Sequence, residues 1–122
     1  MTAREQLVTA LTAVIPRTWK LVPYQDNLDT LDRVTLVLKQ STISKAPAAP
    51  QGAHIVSYLL TLVTPETDAQ KAELALDALV DELLFMLDGI TWLTWDTATK
   101  VQFSDSNMAY DITVEALTRK AK

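Results

Sequence analysis

The chain has 122 residues, 48% of them hydrophobic and 21% charged, and no cysteine. That length suits one domain burying roughly two-thirds of the surface its extended chain exposes, and the missing thiols exclude disulfides, zinc–thiolate sites, iron–sulfur clusters and thiol catalysis. A net charge of −4 and a pI near 4.8 argue against binding nucleic acid by phosphate neutralisation, and the one basic cluster, Arg119, Lys120 and Lys122, reads as a solvated tail.

Thr2-Ala3-Arg4-Glu5 has the pattern of a capping box, in which Thr2 accepts from the Glu5 N–H and the Glu5 carboxylate reaches back. Leu7, Val8, Leu11, Val14 and Ile15 then share one helical stripe until Pro16, which predicts a helix over residues 3–15. Trp19 to Val22 reads as a short extended piece ended by Pro23, and residues 24–33 as a loop. From Val34 the apolar period becomes two, predicting a strand to Ile43 with Leu36 and Leu38 on one face and Val37 and Ile43 on the other.

Residues 44–52 carry Pro47, Pro50 and Gly52 and are expected to form a stiff, projecting loop. The next strand, 53–63, is apolar on both sides, as in a central strand covered on both faces. Thr64-Pro65 then looks like a helix start, with Thr64 as cap. Leu76, Leu79, Val80, Leu83, Leu84 and Leu87 form the apolar stripe of a helix over 66–88, with Gly89 just past its end as C′.

Residues 92–104 read as a strand with Leu93, Trp95, Val101 and Phe103 on one face, Asp105-Ser106-Asn107 as a turn, and residues 110–116 as a half-buried strand. The expected fold is α+β: a mostly antiparallel sheet of four to five strands, in the order α-β-β-β-α-β-β. An N-terminal helix and one long central helix pack on it, in one domain over 1–122.

The candidate sites weigh against chemistry. His54 is the only histidine and has no nucleophile motif beside it, so a structural role is expected. Asp26, Asp29 and Asp32 recur at every third position, without the alternate spacing and glycine of a calcium loop. Glu73, Asp77, Asp81 and Asp88 share one side of the long helix; they read as a solvated face, or as a surface that repels DNA. Trp92 and Trp95 fall on opposite faces of one strand, so at least one is free to anchor an interface. With two glycines in all, no phosphate-cradling loop, dinucleotide fingerprint or nucleophile elbow is present, and neither an enzyme nor a cofactor is expected. No run of about 18 apolar residues occurs and the N-terminus lacks a signal-peptide core, so no membrane partner is expected.

The chain resembles the tail-terminator (tail-completion) proteins of long-tailed bacteriophages. The likeness is carried by the helix ending at Ile15-Pro16, by Trp19-Lys20-Leu21-Val22-Pro23-Tyr24, and by the strand from Val34 to Ile43. It continues in Tyr58-Leu59-Leu60-Thr61-Leu62-Val63-Thr64-Pro65-Glu66, Thr99-Lys100-Val101-Gln102-Phe103 and Tyr110-Asp111-Ile112-Thr113-Val114. The resemblance implies a homo-hexameric ring on the head-proximal end of the tail tube, made in the host cytoplasm and ending in the virion. Such a ring stops tube polymerisation, docks the head connector and lets DNA pass. It carries over no catalytic, cofactor or metal residues. On this reading Lys45, Pro47, Pro50, Gln51, Trp92 and Trp95 are candidate interface residues, and Glu73, Asp77 and Asp81 candidate lumen acids. Another head–tail connector or neck protein is the alternative, and a small ligand-binding domain using His54 a more distant one.

Overall fold

The computed structural model describes residues 2–23, 32–45, 53–103 and 107–119. The elements run α1 (Ala3–Val14), β1 (Lys20–Val22), β2 (Thr35–Lys45), β3 (Ala53–Val63), α2 (Ala69–Asp88), β4 (Leu93–Gln102) and β5 (Met108–Arg119). This is the expected α+β order. Among the described residues, one five-stranded sheet, β1-β2-β3-β5-β4, holds all the strands. β1 is parallel to β2, and every other pair is antiparallel.

Register decides what each sheet face carries. Across β2, β3, β5 and β4, the pairs Leu38–Leu60, Leu60–Ile112 and Ile112–Ala98 line up, so these side chains share a face. The same face holds Leu36, Val56, Tyr58, Leu62, Val114, Ala116 and Leu93. They form one core with Leu7 and Leu11 of α1 and Val80, Leu83 and Leu87 of α2. Both helices therefore cover one side. β3 is central, as its sequence implies; neither helix covers its second face, where Ile55, Ser57 and Leu59 are half-buried while Thr61 and Val63 are buried.

Two irregularities shift the pattern. The register slips between Gln40 and Thr42, so Ile43 pairs with Val56 and lies on the helix side of the sheet, not with Val37 as strict alternation predicts. A second slip between Trp95 and Thr97 puts Leu93, Trp95, Ala98 and Lys100 on the helix side and Val101 on the other. The expected set of Leu93, Trp95, Val101 and Phe103 is thus split, because one extra residue reverses every later side chain. Phe103 lies beyond the strand.

The helix ends also differ from expectation. Thr2 caps α1 by accepting from the Glu5 N–H, as the capping box predicts. Ile15, placed inside the helix by its stripe, is the extended C-cap, and Val14 is exposed. Thr64 does not cap α2. Asp68 does, accepting from the Lys71 N–H at 3.0 Å, while the Thr64 hydroxyl accepts from Glu66 N–H in the connector. A carboxylate at the positive end of the helix dipole is the stronger cap. Gly89 is the C-cap itself, at φ −77° and ψ −10°, and not a left-handed C′. β5 runs from Met108 to Arg119, longer at both ends than its alternation shows, so Arg119 closes a strand opposite Ala53.

Candidate functional site

Three surfaces are left by this architecture, and α2 carries the first. Its buried stripe, Leu76, Val80, Leu83 and Leu87, faces the sheet. On the opposite side stand two large apolar side chains in solvent, Leu74 at 64% exposure and Phe85 at 79%. About three helical turns separate them, which puts both on one outward line, roughly 16 Å apart. Asp81 and Glu82 lie one turn before Phe85 and are exposed; neither has a hydrogen-bond or ion-pair partner among the described residues.

The acidic side of α2 is partly neutralised from the sheet. The Lys100 ammonium donates to Asp77 at 3.1 Å and to Glu73 at 3.2 Å, and it lies 5.4 Å from the Tyr110 ring centre. The hydrogen bond to Asp77, followed by that to Glu73, raises the Lys100 pKa above its ordinary 10.5. The Tyr110 hydroxyl also reaches Asp77, at 3.4 Å. The register slip in β4 makes this possible by turning Lys100 toward the helix. Asp88 accepts from the Trp95 indole N–H at 2.9 Å. Of the three candidate lumen acids, Glu73 and Asp77 therefore share one cation, and Asp81 stands as an uncompensated charge.

The second surface is a hollow of about 540 Å³ beside the start of α1, lined by Thr2, Ala3, Arg4, Ile43, His54, Val56 and Tyr58. Ile43 is here because of the slip in β2, and it is 59% exposed. Tyr58 is fully buried, and its hydroxyl has no hydrogen-bond partner among the described residues. Burial pushes its pKa above the ordinary 10.0, and the nearby Arg4 charge opposes that rise. The Arg4 guanidinium donates to the Pro23 carbonyl at 2.7 Å, which fixes it at the rim. The hollow is thus apolar-walled, with the Arg4 charge at one side.

The third surface is the sheet face opposite the helices. Ile55, Thr91, Trp92, Thr94 and Glu115 frame an open depression there of about 390 Å³. Trp92 lies before β4, lining this depression and also packing against the core, while Trp95 packs against the core and donates to Asp88 of α2. β4 is an edge strand, and β1 pairs only with the first three residues of β2. Among the described residues, then, β4 and the later half of β2 each have one open edge.

Lys45 ends β2 opposite His54, while Pro47, Pro50, Gln51, Asp26 and Asp29 lie outside the described residues. Asp32 is exposed beside Arg33 at 3.5 Å. Among the described residues, no group of three or more histidine, aspartate or glutamate side chains could hold a metal ion. No described helix is long and apolar enough to cross a membrane. Sequence reading missed Phe85, Tyr58 and Arg4. Only Phe85 left a signal, since it falls outside the apolar stripe of its helix.

The fold and its surfaces define a small α+β domain with a one-sided helix layer. Compared with family models and with curated proteins, the chain matches none.

Proposed function

We propose that this protein is a virion structural component of the tail-terminator kind, a homo-oligomeric ring that caps the tail tube, stops its growth and docks the head connector. It does its work by fitting against other subunits and not by catalysis. The observation behind this reading is the outward line of α2. Phe85 and Leu74 are held in water on a rigid helix, where a solitary domain gains nothing from them. The edges of β2 and β4 that are open among the described residues add backbone donors and acceptors that a neighbour can pair. The open depression on the sheet's other face gives a second, different patch, and a ring needs two unlike patches per subunit that close by rotation. The acids of α2, with the net charge of −4, suit a channel that passes DNA without holding it.

Light scattering across a wide concentration range, with and without purified tail tubes, tests the ring. A mass of several subunits, alone or on tubes, supports it, and a monomer under every condition removes it. Particles lacking the protein separate the two virion roles by electron microscopy. Overlong tails mark a terminator, whereas normal-length tails detached from heads mark a neck protein.

A further inference from the structure

The knob on α2 and the hollow beside α1 are complementary. Phe85 is a large aromatic side chain 79% exposed, and Asp81 and Glu82 stand one turn before it, on the adjoining helix surface. The hollow offers apolar walls from Ala3, Ile43 and Val56 and the Arg4 charge at its rim. Its volume of about 540 Å³ holds one aromatic ring with room for a carboxylate beside it. The N-terminal turn of α1, with its positive dipole end, opens on the same space.

We propose that Phe85, with Asp81 and Glu82, enters the hollow of a second copy of this chain. This rests on the ring reading above and specifies one of its contacts. Aromatic knobs in desolvated pockets are the usual anchors of such interfaces. The flanking carboxylates meet Arg4. Knob and hollow lie on different parts of one subunit, so the contact is head-to-tail and leaves a free knob at one end and a free hollow at the other. Asp81 then belongs to the seam between subunits and not to the lumen, while Glu73 and Asp77 stay beside Lys100.

The test uses the full chain and two exposed positions, Phe85→Ser for the knob and Ile43→Glu for the hollow. Circular dichroism and melting confirm that each variant folds. Self-association is measured by sedimentation, or by binding to tail tubes if wild type assembles only there. Each variant alone should associate at least tenfold more weakly than wild type. An equimolar mixture should recover a one-to-one dimer, because each partner supplies what the other lacks. Asp81→Lys with Glu82→Lys, which leaves Phe85 in place, should weaken association and do so less at high salt. If wild type assembles and Phe85→Ser assembles equally well, the contact is wrong and the ring reading stands. If the variants fail alone and the mixture recovers nothing, the contact joins like patches and the head-to-tail assignment is overturned. If wild type never assembles, the ring reading and the contact both fall.

Discussion

Replacing Tyr58 by phenylalanine should stabilise the isolated subunit, the reverse of the usual result for a buried polar group. The side chain is fully buried and its hydroxyl has no partner among the described residues. Burying an unpaired hydroxyl costs roughly 1–3 kcal/mol, and phenylalanine keeps the ring while removing that cost. A gain of about 1 kcal/mol is expected at pH 7, read by urea unfolding at dilutions where the protein is monomeric. With a slope of about 2 kcal/mol per molar urea, the midpoint moves up by about 0.5 M. The pH arm has a definite sign. Burial holds the Tyr58 pKa above 10.0, so the folded state keeps its proton more tightly than the unfolded chain. The associated stability is full below about pH 10 and drains away as pH rises through the folded pKa. Tyr58→Phe should therefore flatten the alkaline loss of stability. Lys100, whose pKa is also raised, titrates in the same window, so Lys100→Gln is the control that removes the other part. A destabilisation of 1 kcal/mol or more at pH 7, or an unchanged alkaline slope, would refute this account of the hydroxyl.

Three further outcomes follow from the packing. Leu83→Ala, at a fully buried position between α2 and the sheet, should cost about 2–5 kcal/mol in the same unfolding assay. Asp68→Ala should cost about 1 kcal/mol and lower the helical signal, since its side chain accepts the Lys71 N–H at 3.0 Å. Gly89→Ala should change stability by less than about 1 kcal/mol. The backbone at Gly89 is right-handed helical and a new methyl group meets the Met86 carbonyl at 3.3 Å, whereas a left-handed position would cost about 1–2 kcal/mol.

Regular elements were legible because each carries its own period. The alternation from Tyr110 to Ala116 and the stripe of leucines on α2 place the sheet and its longest helix, and the fold class follows from them. The strand order was less accessible. β5 inserts between β3 and β4, a long-range choice that no local period encodes. The parallel pairing of β1 is likewise long-range. The start of α2 was misplaced because Thr64-Pro65 and Asp68 are both good caps, and only the connector geometry chooses between them. Of the candidate residues, the α2 acids fell on an exposed face as their spacing implied, whereas Trp92 and Trp95 are both half-buried against the core. The hollow was invisible, since Arg4, Ile43, His54 and Tyr58 come from three elements brought together only by folding.

The surfaces argued to carry function lie where the chain breaks its own rules. Strict alternation would have sent Ile43 to the other face of the sheet and left the hollow without one wall. It would also have turned Lys100 away from α2, leaving Glu73 and Asp77 as a denser negative charge on the helix. In each case one extra residue in a strand reverses the later side chains. Both slips lie in strands with an open edge, where an unpaired residue disturbs the ladder least. Phe85 and Leu74 depart from pattern in the same sense, as apolar residues on the wet side of α2. A sequence selected only for the stability of the lone subunit has no reason to keep these departures, and each of them shapes a surface that a neighbouring subunit can read.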